Sequence, residues 1–161
     1  MQKVTPFLWF DGQAEEAANL YTSIFDNSRI LDISRYGEAA PGKAGSVMTV
    51  EFELDGLRLV GLNGGPQYQF TGAVSFAVSC ETQAEVDELW AKLSEGGEEG
   101  PCGWLKDRFG LSWQIVPTAL PRLLKDPDRE KSQRVMQAMM QMGKIEIVEL
   151  ERAAAGEEVT A

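Results

Sequence analysis

The order strand, helix, strand, strand, strand is written twice along this chain, and that repetition constrains the fold more than any single motif. In the first copy Val4 to Phe10 is a strand rich in aromatics, followed by a helical stripe of Ala14, Ala17, Ala18, Tyr21, Ile24 and Phe25 within Gly12 to Phe25. Asp26-Asn27-Ser28 makes a turn, and Arg29 to Tyr36 reads as a strand. After a loop rich in Gly, Ala and Pro, Val47 to Leu54 and Leu57 to Asn63 flank Asp55-Gly56, a two-residue hairpin signal. Gly64-Gly65-Pro66 then breaks the pattern.

The second copy starts with Ala73 to Cys80 as a strand. Thr82 opens a helix, with Glu85 three residues on in capping-box spacing and Val86, Leu89, Trp90 and Leu93 as its apolar stripe. Gly96-Gly97 ends it, and a short extended piece leads to Trp104. The stretch CGWLKDRFGLSWQIVP, residues 102 to 117, is strand, tight turn, strand. Gly110 supplies the turn's backbone freedom, and Leu111, Trp113 and Ile115 alternate with Ser112, Gln114 and Val116. One face of that strand is bulky and apolar. The other offers an amide and a hydroxyl, which suits the wall of a small-molecule site.

Residues 118 to 153 form a helical appendix. Leu120, Leu123 and Leu124 begin it, Asp126-Pro127-Asp128 interrupts, Val135, Met136, Met139, Met140 and Met142 line a longer helix, and Ile145, Ile147, Val148 and Leu150 a further one. The whole 161-residue chain is expected to be a single α+β domain, with a first module over 4–63, a second over 73–117 and the helices over 118–153.

The formal charge of −10, from 15 Lys and Arg against 25 Asp and Glu, argues against nucleic-acid and anionic-membrane partners. No apolar run reaches membrane-spanning length and the N-terminus lacks signal-peptide features, so a cytoplasmic location is expected. The two cysteines, Cys80 and Cys102, read as reduced structural thiols. The chain has no histidine.

The segments TPFLWFDGQAEEAANLYTSIF, GSVMTVEFELDG, LNGGP and CGWLKDRFGLSWQIVP resemble the PhnB-like branch of the vicinal oxygen chelate superfamily. That superfamily also holds glyoxalase I, bleomycin-resistance proteins and extradiol dioxygenases, and this branch is often labelled 3-demethylubiquinone-9 3-methyltransferase. The resemblance covers about residues 4 to 150. It implies paired βαβββ modules of the glyoxalase/bleomycin resistance/dioxygenase fold, each curling a four-stranded sheet into a cup, and a homodimer. Val135, Met139 and Met142 are candidate dimer contacts.

By similarity, the positions where superfamily enzymes carry metal ligands fall near Thr5, near the end of the Leu57 to Asn63 strand, at Ser75 and at Gln114. Strand parity extends the set. Thr5, Phe7 and Trp9 would line the cup opposite Val4, Leu8 and Phe10, and Glu51 and Leu62 would join them from the hairpin. Ser75 and Gln114 would do so from the second module. Hydroxyls, one amide and one carboxylate make a poor transition-metal set, so no metal and no cofactor is expected. As the family pattern reads, relatives often carry His after LNGGP, where this chain has Gln67.

The functional expectation is a metal-free small-molecule-binding protein whose ligand sits in the cup of the curled sheets. Thr5, Phe7, Trp9, Glu51, Leu62, Ser75 and Gln114 are its binding residues, and Glu51 is the one weak candidate for a general base. The alternative is a superfamily enzyme of lyase, isomerase or dioxygenase type with an atypical oxygen-ligand metal site. A methyltransferase ranks last, because no glycine loop joins a parallel strand to a helix in the manner of a nucleotide-binding unit. Trp9 reads equally as a stacking platform or a packing residue. Trp104 and Trp113 read as core aromatics, and Asn63-Gly64-Gly65-Pro66 as a connecting turn.

Overall fold

In the computed structural model, which describes residues 2–40 and 43–157, Asp55 and Gly56 both take positive φ, 45° and 85°. That pair lets β3 (Val47–Leu54) fold back on β4 (Leu57–Asn63), with Leu54 opposite Leu57. β1 (Phe7–Phe10) runs parallel to β4, and β2 (Arg29–Arg35) antiparallel to β3, giving the order β1-β4-β3-β2. α1 (Ala14–Ile24) covers one face, burying Ala14, Ala17, Ala18 and Tyr21 over the sheet that carries Leu8, Phe10, Val50, Phe52 and Leu59. The contact is close because small residues meet: a Cβ on Gly61 would stand 3.1 Å from the Ala14 methyl.

The second module repeats this arrangement. β5 (Ser75–Cys80), α2 (Gln83–Ser94), β6 (Glu98–Glu99), β7 (Trp104–Lys106) and β8 (Ser112–Pro117) form a sheet of order β5-β8-β7-β6, with β5 and β8 parallel. α2 buries Val86, Leu89, Trp90 and Leu93 over Leu105, Trp113 and Ile115. Its cap is a variant of the expected box. The Thr82 hydroxyl accepts from the Glu85 N–H at 3.2 Å, but the Glu85 carboxylate reaches the Glu81 N–H rather than that of Thr82.

Three helices complete the chain: α3 (Ala119–Leu124), α4 (Arg129–Met140) and α5 (Ile147–Ala155). Asp128 ends the predicted interruption as the N-cap of α4, its carboxylate accepting from the N–H groups of Glu130 and Lys131. Leu120, Leu123, Val135, Ile145, Leu150 and Ala154 bury one another, with Met139 and Met142 packed against them. The residues expected to face a partner chain, Val135, Met139 and Met142, are thus used for packing within their own chain. The chain divides into two compact units, Met1–Phe70 and Thr71–Ala161.

Three expectations are corrected. The first strand begins at Phe7, leaving Thr5 outside it and Val4 exposed, because Pro6 has no N–H to give a ladder and marks the strand entry. The fifth begins at Ser75, with Val74 exposed before it. The cup of curled sheets is absent: both sheets are open and four-stranded, neither closing nor curling. In the second module the outer strands have two and three residues. At about 3.3 Å per residue they are too short to rise into a wall.

Candidate functional site

The expected site residues fall into two groups on two separate sheets. In the first module, register places Phe7 beside Val60 and Trp9 beside Leu62, with Thr49 and Glu51 opposite Leu62 and Val60. Phe7, Trp9, Glu51 and Leu62 therefore share the face away from α1, as parity predicts. Thr5 precedes the strand and is half-buried. Phe7 is exposed, and Glu51 is ion-paired with Arg58 at 2.9 Å. In the second module the Gln114 amide donates to the Ser75 hydroxyl at 2.9 Å, so these two expected residues are brought together.

Trp9 is fixed by the loop that follows β4. Its indole N–H donates to the Gly65 carbonyl at 2.8 Å, its ring meets Tyr68 edge-on at 4.9 Å, and its six-membered ring lies over Gly64. A Cβ on Gly64 would come within 2.2 Å of that ring. Asn63 does more than join strand to turn. Its side-chain oxygen accepts from the Ala14 N–H at the start of α1, its amide donates to the Val47 carbonyl, and its own carbonyl accepts from the Tyr36 hydroxyl. LNGGP is thus a structural knot. A polar hollow of about 300 Å³ beside it, reached by Asp11, Glu15, Tyr36 and Ser46, is acidic and small.

The DRFG turn is held by a buried carboxylate that sequence reading passed over. One oxygen of Asp107 accepts from the N–H groups of Phe109 and Leu111, and the other from the Trp113 indole at 2.9 Å. The signal was available, since an Asp two residues before an amide in a turn is a common local acceptor.

A larger hollow lies within the second module, at the β6–β7 edge. It has a volume of about 540 Å³ and is lined by residues 98–102, Trp104, Leu105, Lys106, Ser112 and Gly72. None of the seven expected binding residues lines it. Trp104 pairs with Gln114 in the ladder, so it shares the face of Gln114 and Ser112. The edge is drawn tight by glycines: a Cβ at Gly97 would stand 2.1 Å from the Lys106 carbonyl oxygen.

The helical extension holds the wall of this hollow. The N–H groups of Cys102 and Gly103 donate to the carbonyls of Met142 and Gly143 at 2.8 Å, and Ile145 packs where a Gly103 Cβ would be. The extension is in turn fastened to α2 by Gln83, whose amide donates to the Ile145 carbonyl and accepts from the Ile147 N–H. Lys144 reaches Asp87 at 2.8 Å beside this clasp. Its hydrogen bond, followed by that of Gln83, holds the Asp87 carboxyl below the ordinary range, and Asp87 lifts the Lys144 ammonium above its own.

Among the described residues no group of three or more His, Cys, Asp or Glu side chains is placed to hold a metal ion. Of the four positions at which the resemblance implies metal ligands, the three with a named residue, Thr5, Ser75 and Gln114, offer hydroxyls and an amide, which do not fit a transition metal. No described helix is long and apolar enough to cross a membrane.

Two modules of identical strand order, each with one helix on one face, define the class: this is a vicinal oxygen chelate fold with a helical extension. The sequence profile described as 3-demethylubiquinone-9 3-methyltransferase matches residues 2–116, and the chain belongs to that family, the PhnB-like branch of the superfamily. A solved structure described as a putative 3-demethylubiquinone-9 3-methyltransferase, PhnB protein, from Bacillus cereus is similar at 41% identity. The match covers 73% of this chain and 100% of that one, with a TM-score of 0.66. Protein PA1353 from Pseudomonas aeruginosa matches at 21% identity over 73% and 98% of the two chains, TM-score 0.60, which shows the fold. The fosfomycin resistance protein FosX from Listeria monocytogenes shares the fold at 16% identity over 73% and 93%, TM-score 0.50. Comparison with curated proteins finds no match.

Proposed function

We propose that this protein binds a small molecule in the second-module hollow, with Trp104 as the main contact surface. The observation that carries the reading is the hollow of about 540 Å³, walled by Trp104, Leu105 and Pro101 and edged by a few polar groups. Its size is in the range of ligand sites, and its mixture of apolar wall and few polar groups is what such sites use. Ser75 and Gln114, hydrogen-bonded to each other on the sheet face that Trp104 shares, lie outside its lining. The hollow replaces the cup inferred from sequence.

An oxygen-ligand metal enzyme is less well supported, given the donor set above. Methyl transfer also draws no support from the strand-to-helix turns. Asp11-Gly12-Gln13 and Glu81-Thr82 are short, carry acids and hold one glycine between them, whereas a nucleotide-type methyl donor calls for a glycine-rich turn. Homodimerisation remains part of the proposal on a different surface, supported by exposed Met136 and Met140, one turn apart on α4.

A thermal-shift screen of small apolar compounds tests the binding reading, since a ligand specific to the folded state raises Tm with concentration. Stabilising compounds should lose their effect in Trp104→Ala and keep it in Trp9→Phe. If Trp104→Ala retains every shift, the ligand binds elsewhere.

A further inference from the structure

We infer that the second-module hollow selects a neutral, flat, apolar molecule bearing a carbonyl-type acceptor, which lies against the Trp104 ring and takes a hydrogen bond from its indole N–H. The inference rests on the hollow being the binding site, and adds the chemical class it takes.

The four tryptophans are not equivalent. The indole N–H of Trp9 donates to the Gly65 carbonyl, that of Trp90 to the Glu99 carboxylate and that of Trp113 to Asp107. Trp104 makes no side-chain hydrogen bond to any described residue, although it is half-buried and lines the hollow. Its backbone is nevertheless held firmly. Its N–H donates to the Pro101 carbonyl, its own carbonyl accepts from the Gly100 N–H, and it pairs with Gln114 in the sheet. A fixed aromatic with an unspent donor is set to recognise a ring and an acceptor together.

Charge narrows the class. Two carboxylates, Glu98 and Glu99, line the hollow against one cation, Lys106, which lies opposite Glu98 in the β6–β7 ladder. Neither Glu98 nor Lys106 has an ion-pair partner among the described residues. The Glu99 carboxylate accepts the Trp90 indole N–H. The local balance is negative within a chain of net charge −10, so an anionic ligand is repelled there. A neutral acceptor meets no such penalty.

Three compounds of one scaffold separate these terms: 2-acetylnaphthalene, 2-ethylnaphthalene and 2-naphthoate, each titrated against the full chain by ligand-observed NMR. The acetyl compound should bind about fivefold tighter than the ethyl compound, the worth of one net hydrogen bond. The naphthoate should bind weakest. Trp104→Phe keeps a flat ring without the donor, so it should erase the acetyl preference and leave the ethyl compound within about twofold. Glu98→Gln should strengthen naphthoate alone. Naphthoate binding tightest, or an acetyl preference that survives Trp104→Phe, overturns the inference while the site stands. If none of the three binds, or Trp104→Ala leaves their binding unchanged, the assignment of the hollow itself falls.

Discussion

Asn63 accepts the Ala14 N–H at 2.9 Å, so a residue at the end of β4 caps the helix that begins the module's crossover. Gln13, at the N-cap position, makes no side-chain cap hydrogen bond, and the cap is supplied from 49 residues away. The same side chain donates to the Val47 carbonyl at 3.1 Å. Replacing it by alanine removes a cap worth about 1 kcal/mol and leaves a half-buried carbonyl without its donor. Asn63→Ala should cost about 2 kcal/mol in urea unfolding at unchanged m. Tyr36→Phe, which removes a single hydroxyl from the same knot, should cost about 1 kcal/mol. Equal stability of Asn63→Ala and the parent chain would show that the knot has no role in holding the module.

Gly64 and Trp9 are a second coupled pair. Because a Gly64 Cβ would overlap the indole at 2.2 Å, Gly64→Ala forces the ring out of its place between Gly65 and Tyr68. The expected loss is about 2 kcal/mol, the range of overpacking in a rigid site. In a Trp9→Leu background most of that loss should vanish, which a double-mutant cycle reads directly. A cycle that closes additively would mean the clash is relieved without Trp9.

The first-module parity was legible in the chain because apolar alternation fixes which face of a strand is buried, and the order of elements along it because turn residues separate them. The hairpin at Asp55-Gly56 and the span of β4 read correctly from residue type alone. The open shape of the sheets was not legible. Curling depends on the length of the outer strands, and Glu98–Glu99 and Trp104–Lys106 carry too few residues to show a period. The hollow escaped for the same reason: it is lined mainly by the short β6 and β7 strands and the turn between them, which the extension braces through backbone hydrogen bonds that leave no mark in side-chain pattern. Trp104 read as core because a half-buried aromatic and a buried one look alike in sequence. Val135 and Met139 read as surface because their partners, Leu120 and Leu150, lie in other helices.

Asp107 gathers three donors into one buried carboxylate. Asp107→Ala strands two backbone N–H groups and an indole, and should cost at least about 3 kcal/mol, at about 1 kcal/mol or more for each orphaned donor. Asp107→Asn retains one oxygen as an acceptor and should cost less. The near-UV circular dichroism of Trp113 should weaken in both. If the Ala and Asn variants are equally stable, the turn is held by its backbone and the carboxylate is incidental.

Cys80 is fully buried, and burial first, then Glu85, raises its thiol from an ordinary 9.0 to about 11. The folded state therefore keeps a proton that the unfolded state releases. That difference lowers stability as pH rises from about 9 to about 11. Cys80→Ala should flatten this part of the stability profile, whatever it does to the plateau. An unchanged slope between those pH values would remove Cys80 as its source.

Cys102 offers the opposite contrast and reports on the extension. It is half-buried, lines the hollow and takes a positive φ of 58°, held there by the Met142 carbonyl on its N–H. At pH 8 one thiol of the folded chain should react with Ellman's reagent, and Cys102→Ser should abolish that phase. Cys80 should react only on unfolding. Gln83→Ala opens the clasp on Ile145 and Ile147, which loosens the segment whose carbonyls hold Cys102 and Gly103. Local opening of this segment is less costly than global unfolding, so the Cys102 rate should rise severalfold while global stability falls by about 2 kcal/mol. Lys144→Ala, which breaks the exposed pair with Asp87 but leaves both Gln83 bonds, should raise the rate far less. If Gln83→Ala leaves the Cys102 rate at its parental value, the extension does not set the wall of the hollow, and the β6–β7 turn holds that wall alone.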